Sequence, residues 1–271
     1  MLDATQIDHF LTQGYVAVPE FFSARETAAL QAEVRRLQDA KLLRNVATEG
    51  DGATPAKAAV NLQICPIGPV SPLILALRFN QAVTGAVSSL IGDPVAFVLD
   101  QIFLKPGGSG AGTRWHQDNA YFKQPVPTRS TGMWIAVHEA TRANGTMHVV
   151  PRSHARLEAH ERDPGSDHHI YAPQVRDEDA VAIELPAGGA LFFNFGVLHC
   201  THANTTARER AGLALHFING EHADPAFVAN ATWLSGPQAT GGERELGRRI
   251  SGTWEAEVAR ALAAEAVGAP A

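Results

Sequence analysis

Apolar residues along the first part of the chain recur at helical spacing. Ile7, Phe10 and Leu11 share one face ahead of Gly14, and Tyr15-Val16-Ala17-Val18 is a short apolar run that reads as a strand. Ser23 and Glu26 stand at the spacing of a capping box, and Leu30, Val34 and Leu37 continue an apolar stripe behind them, which predicts a second helix. Residues 45–60 are small, polar and aperiodic, the composition of a mobile loop. Leu73 to Ile91 reads as a further helix.

From Val95 the period changes. Short runs rich in β-branched and aromatic residues follow at 95–105, 131–138, 146–151, 181–186, 190–195 and 211–218, divided by Gly, Pro and Asn. Strand candidates at such spacing predict a barrel or a sandwich. Asn144-Gly145 is a hairpin signal, and Pro186-Ala187-Gly188-Gly189 is a second turn. The polar stretch from Arg152 to Asp179 is too long for a simple hairpin and reads as a lid or excursion beside the barrel. A Gly-rich stretch from Gly236 leads into a helix on which Trp254, Val258 and Leu262 align. There is no internal repeat. The expected organisation is one domain over 1–271: helical support at 1–92, a β-barrel core at 93–220 with its excursion at 152–180, and a C-terminal extension at 221–271.

Composition narrows the function. With 45% hydrophobic and 18% charged residues, 271 residues bury a sizeable core, which excludes a disordered or fibrous chain. The 22 basic against 28 acidic side chains give a net charge of -6 with no cationic cluster, so nucleic acid is not an expected partner. No run approaches the roughly 18 apolar residues of a membrane span, and Met1-Leu2-Asp3-Ala4 lacks the order of a signal peptide; the expectation is a cytoplasmic protein with no membrane partner. Two cysteines, Cys65 and Cys200, offer neither a disulfide framework nor a paired-cysteine zinc site. Twelve histidines turn attention to metal chemistry. Nothing in the sequence speaks to oligomeric state.

The densest signal is Trp115-His116-Gln117-Asp118. In an extended segment, residues two apart project to one face, so His116 and Asp118 both point inward and Gln117 away. One imidazole and one carboxylate are two of the three ligands of a mononuclear Fe(II) site. Alone, such a triplet is more often a strand-end histidine bonded to a surface aspartate. The strand Ala190–Phe195, followed by Gly196-Val197-Leu198-His199, delivers a second imidazole from the end of a core strand. Eleven residues on, Arg210 opens the strand that holds 212–217, where a guanidinium could grip a dicarboxylate through two parallel hydrogen bonds. Arg208 shares its face, and parity does not choose between them. The plain alternative makes His199 a satisfied core histidine and Arg210 a surface ion-pair partner.

His138, His148 and His216 fall on strands and read as buried and hydrogen-bonded; His9, His160 and His222 read as solvated, and His202 as part of a turn. His168 and His169, in the excursion, would meet substrate if that segment closed over the metal, and are otherwise part of a polar loop. The mixed charges of the excursion suit a small polar substrate better than a long acyl chain.

Together these residues resemble the phytanoyl-CoA dioxygenase-like branch of the Fe(II)/2-oxoglutarate oxygenases. The likeness runs over most of the chain, through Gln101-Ile102-Phe103-Leu104-Lys105-Pro106, Trp115 to Tyr121, Trp134-Ile135-Ala136, Asn144-Gly145-Thr146, Val150 to His154, and His199 to Arg210. It implies a mainly β fold, the double-stranded β-helix or cupin-like jelly roll, with flanking N- and C-terminal helices. It further implies that His116, Asp118 and His199 are the catalytic ligands of Fe(II), and that Arg210, favoured over Arg208 by the family spacing, pairs with the distal carboxylate of 2-oxoglutarate. Gln101 and Trp134 match positions lining the cosubstrate pocket, and Thr201 matches an assisting hydroxyl. One departure is Arg152, where the family more often has Gly.

The activity implied is hydroxylation of a C–H bond of a small molecule, with O2 and 2-oxoglutarate as cosubstrates and succinate and CO2 as coproducts. Asp118 fills the position that a halogenating relative leaves open for chloride. Two other classes compete. A metal-dependent hydrolase would use the same three ligands but leave Arg210 and Gln101 with no dicarboxylate to hold. A cupin-like binding protein without turnover would not need a complete triad.

Overall fold

The structure, a computed structural model, describes residues 2–268. Its strands are β1 (Tyr15–Val18), β2 (Arg44–Asn45), β3 (Leu62–Ile64), β4 (Val95–Lys105), β5 (Thr113–His116), β6 (Ser130–Ala136), β7 (Met147–Val149), β8 (Glu161–Arg162), β9 (Ile170–Tyr171), β10 (Val181–Ala182), β11 (Ala190–Phe193), β12 (His199–Thr201), β13 (Arg210–Asn219) and β14 (Thr232–Trp233). A major antiparallel sheet runs β1-β11-β6-β13-β4-β3-β2, with β14 also paired to β4. A minor sheet runs β10-β7-β12-β5, and β8 and β9 form a hairpin of their own. The two larger sheets face each other as a jelly roll, and side chains from both line the cavity between them.

Strand alternation divides the major sheet's side chains between two environments. Ile135, Leu213 and Leu215 point outward, into a core completed by Leu30, Val34 and Leu37 of the helix Ala24–Asp39. Trp134, Ala136 and Ala214 point inward, toward the minor sheet. Every residue of β6 and β13 is buried, as expected for strands covered on both faces. The C-terminal helix, Trp254–Gly268, joins the outer core through Trp254 and Val258, and the Trp254 Nε1 donates to Glu26 Oε1 at 2.7 Å. Among the described residues no helix is long and apolar enough to cross a membrane.

Several local expectations change. The first helix, Ala4–Gln13, buries Phe10 but leaves Leu11 57% exposed. The segment read as one helix from Leu73 to Ile91 is two, Pro72–Leu77 and Gln81–Ile91, because the Asn80 side chain accepts from the Ala82 and Val83 amides and starts the second anew. Asn144-Gly145 does not close a hairpin: β6 lies in the major sheet and β7 in the minor one, so the turn carries the chain across the roll. Gly145 has φ +78°, and a Cβ there would lie 2.2 Å from the His202 carbonyl oxygen. The 45–60 segment is tied down on one side, since the Thr48 amide donates to the Gly165 carbonyl, the Asp167 amide donates to the Val46 carbonyl, and Val46 and Ala47 are buried. Arg152 adopts the left-handed conformation, φ +65°, that a glycine accommodates without strain.

Candidate metal centre

His116 ends β5 and His199 begins β12; these strands pair with His199 directly opposite His116, so the two rings lie 4.2 Å apart between centroids. Asp118 arrives differently from the strand-parity expectation. β5 stops at His116, and Asp118 already has helical dihedrals ahead of the short helix Asn119–Phe122. The turn between them is fixed by Gln117. Its amide donates to His160 Nε2 at 3.0 Å, its carboxamide donates to the Arg156 and Gly196 carbonyls, and its Oε1 accepts from the Glu158 amide at 2.8 Å. His160, read as solvated in the sequence, is half-buried in this lock.

Both imidazoles aim at one carboxylate oxygen. His116 Nε2 lies 3.7 Å and His199 Nε2 3.6 Å from Asp118 Oδ1. These separations are too long for hydrogen bonds and close to the roughly 3.0–3.6 Å between neighbouring donors that each sit about 2.1 Å from one ion. The ring tautomers suit a metal as well. His116 Nδ1 donates to the Arg114 carbonyl at 2.8 Å and His199 Nδ1 to the Val197 carbonyl at 2.9 Å, which leaves both Nε2 lone pairs free. Burial, reinforced by neighbouring His199, pushes the His116 pKa down to about 3, so its ring is neutral at pH 7. Burial works to raise the Asp118 carboxyl pKa, but His199, His216 and His116 outweigh it and hold the group ionised. Two imidazoles and one carboxylate are the donor set of a mononuclear non-haem iron site.

A fourth side chain completes the centre, and the sequence reading had placed it only as a buried strand histidine. His216 of β13 donates from Nε2 to Asp118 Oδ2 at 3.1 Å. That bond occupies the second carboxylate oxygen and leaves Oδ1 to the site where the two imidazoles point. The only sequence signal was parity: His216 shares the inward face with Ala214 and Gly212.

The cavity in front of the triad measures about 200 Å³, and Gln101, Trp134, Thr201 and Arg210 all line it. Arg210 is 1% exposed; it donates to the Gly145 carbonyl, while its Nε has no partner. Burial pushes its pKa down to about 10. Arg208 is exposed and does not line the cavity, so the structure separates the two arginines that parity could not. Directly across from Arg210 on β4 stands Lys105, also 1% exposed, donating to Thr201 Oγ1 at 2.7 Å and to the His202 carbonyl. Burial first, and Arg210 second, depress its pKa well below that of an ordinary lysine. Among the described residues no carboxylate pairs with either cation. Keeping both side chains charged in this surrounding is costly unless a ligand supplies an anion. Gln101 Oε1 accepts from Gln63 Nε2 at 2.9 Å, and Gly212 makes room for Trp134, whose Nε1 would lie 2.4 Å from a Cβ there.

His168 and His169 line the same cavity from the excursion. His169 is buried, its ring 5.8 Å from that of Phe103, and burial pushes its pKa down to about 3. Tyr121, not singled out in the sequence, lies beside them, accepting at its hydroxyl from the Ile170 amide at 3.0 Å.

A family profile described as Phytanoyl-CoA dioxygenase (PhyH) matches residues 10–212. Phytanoyl-CoA dioxygenase 1 of Oryza sativa subsp. japonica is 25% identical, over 80% of this chain and 89% of its own length. Ectoine dioxygenase of Bordetella parapertussis is 24% identical, over 82% of this chain and 77% of its own. Among solved structures, the epimerase SnoN from nogalamycin biosynthesis, in complex with Fe3+, alpha-ketoglutarate and nogalamycin RO, superposes with a TM-score of 0.66 at 20% identity, covering 85% of each chain. The chain belongs to the phytanoyl-CoA dioxygenase family and is an iron- and 2-oxoglutarate-dependent dioxygenase.

Proposed function

We propose that this enzyme hydroxylates a C–H bond of a small, polar organic substrate, with release of succinate and CO2, and that His116, Asp118 and His199 hold its iron. The observation that carries the reading is the convergence of two imidazoles on one oxygen of Asp118, in a cavity that also holds a buried arginine and a buried lysine with no acidic partner. Bound iron supplies the redox chemistry with O2, coupling decarboxylation of 2-oxoglutarate to transfer of one oxygen atom into the substrate. The protein's own part is positional. Arg210 and Lys105 take the distal carboxylate of 2-oxoglutarate, Thr201 orients Lys105, and Gln101 and Trp134 bound the cosubstrate. His216 fixes the rotation of Asp118.

The size of the substrate follows from the room left. A cavity of about 200 Å³ is small beside the roughly 300–1,000 Å³ of pockets that enclose drug-sized ligands, and the cosubstrate takes part of it. Tyr121, His168 and His169 supply polar contacts on the side facing the excursion. A zinc hydrolase built on the same triad would leave Arg210 and Lys105 uncompensated, and a binding module has no use for a redox-competent donor set. The test is a turnover screen with Fe(II), 2-oxoglutarate and O2 against small amino acids, organic acids and acyl thioesters, read by mass for one added oxygen. Oxidation of an acyl thioester alone would overturn the small-substrate reading.

A further inference from the structure

A second set of metal-ligating side chains stands outside the iron triad. Strand alternation turns His199 into the cavity and its neighbour Cys200 the other way. There Cys200 packs with Trp115 of the minor sheet, with Leu198 just ahead of β12, and with Ala172, Val175 and Ala180 of the 152–180 excursion. His148 is the cross-strand partner of Cys200, and His202, just past the end of β12, lays its ring against that of His148. The Cys200 sulfur and one ring nitrogen from each histidine lie within 4.8 Å of one another. His148 is oriented as a ligand: its Nδ1 donates to the Thr146 carbonyl at 3.2 Å and frees Nε2. A carboxylate is at hand too. Asp177 of the excursion accepts from Trp115 Nε1 at 2.7 Å through Oδ1, and its Oδ2 lies 3.8 Å from His202 Nε2.

We propose that His148, Cys200, His202 and Asp177 form a second metal site, for a borderline-soft divalent cation such as Zn2+, that clasps the excursion to the minor sheet. One sulfur, two imidazoles and a carboxylate are a zinc-type donor set. Donors about 2.0–2.3 Å from a tetrahedral ion stand roughly 3.3–3.8 Å apart, so the cluster must tighten. The movable members are His202 and Asp177, whose carboxylate approaches the cluster only through His202 and is well exposed. The His202 ring stacks on that of His148 at 4.3 Å between centroids and 13° between planes, so the lone pairs run side by side until His202 turns, and its side chain is 42% exposed. Binding releases the Cys200 thiol proton to solvent and leaves a metal-bound thiolate, with no change of oxidation state. The site shares no ligand with the iron triad and does not rest on the proposed substrate.

The iron triad contains no sulfur, so thiolate-to-cobalt charge-transfer absorption reports the second site alone. The full chain, stripped of metal by a chelator, is titrated with Co2+ as wild type and as the His116→Ala/His199→Ala double variant. The expected result is two cobalt ions per wild-type chain and one in the double variant, with the sulfur band present in both and bleached by Zn2+. His202→Ala, at an exposed position, should weaken the binding that produces the band by at least about tenfold, and Cys65→Ser should leave it unchanged. Absence of the band from wild type at saturating Co2+ overturns the proposal, and so does a band that His202→Ala leaves unaltered. Should the double variant fail to fold, the wild-type band and its response to His202→Ala decide the matter alone.

Discussion

Replacing Arg210 with methionine keeps most of the side chain's volume and removes its charge. The guanidinium is buried on the cavity wall with one hydrogen bond to a carbonyl and an unpartnered Nε, so the variant loses little inside the free protein. Burial already disfavours the charged form, since its pKa is pushed down to about 10. Stability without cosubstrate should therefore stay level or rise. Affinity for 2-oxoglutarate should fall. Deleting one member of a buried charge pair costs about 2–5 kcal/mol, and Lys105 remains to hold the carboxylate, which places the loss near 2–3 kcal/mol. That is a rise of roughly 30- to 150-fold in the 2-oxoglutarate concentration for half-maximal rate. Succinate formation is measured against cosubstrate concentration, and thermal unfolding with and without 2-oxoglutarate. Arg208→Ala, on an exposed side chain, should shift the requirement by less than about twofold. An unchanged requirement in Arg210→Met, or a larger effect of Arg208→Ala, refutes the assignment.

His116→Ala, Asp118→Ala and His199→Ala should each abolish iron-dependent turnover while far-ultraviolet circular dichroism stays native, because the apolar cores do not depend on the metal; full activity in any of them excludes that residue as a ligand. His216→Phe should lower Fe(II) affinity about 10- to 100-fold by freeing Asp118 Oδ2, and equilibrium dialysis showing wild-type affinity would remove its positioning role. For His168→Ala and His169→Ala, substrate oxidation should fall more than uncoupled decarboxylation of 2-oxoglutarate; equal losses, read as succinate against product, would make both residues structural. The metal-free protein should lose stability as pH falls from about 6.5 toward 3. His169 is held neutral in the fold, with its pKa near 3, and takes up its proton on unfolding, about 1.4 kcal/mol per pH unit. Urea unfolding of His169→Gln should show a correspondingly shallower acid slope; an identical slope contradicts the burial argument.

What could be read from the sequence was what lies close in the chain or repeats with a period. β4 was bounded at Val95 and Lys105 because the turns at its ends are marked by Pro94 and Pro106, and β13 because an apolar run follows Arg210 directly. The triad was legible through its motifs, although the reason given for His116 and Asp118 sharing a face was wrong: a Gln117 lock, made with residues some 40 and 80 positions away, replaces strand parity. Lys105, His216 and Tyr121 become part of the site only once β4, β13 and the Asn119–Phe122 helix are folded against β5, and no local pattern encodes that. The Asn144-Gly145 turn shows the same limit. Turn chemistry reports that the chain reverses but not which sheet receives the next strand.

The central claim is that this cavity couples 2-oxoglutarate and O2 at an iron held by His116, Asp118 and His199. The most direct test measures succinate and O2 together in metal-stripped enzyme reconstituted with Fe(II), as wild type and as Asp118→Ala. Wild type should form one succinate per O2 consumed, only when Fe(II) is present and only in the presence of oxygen, and Asp118→Ala should form none. Succinate formed at equal rates without oxygen, or undiminished in Asp118→Ala, would contradict the account.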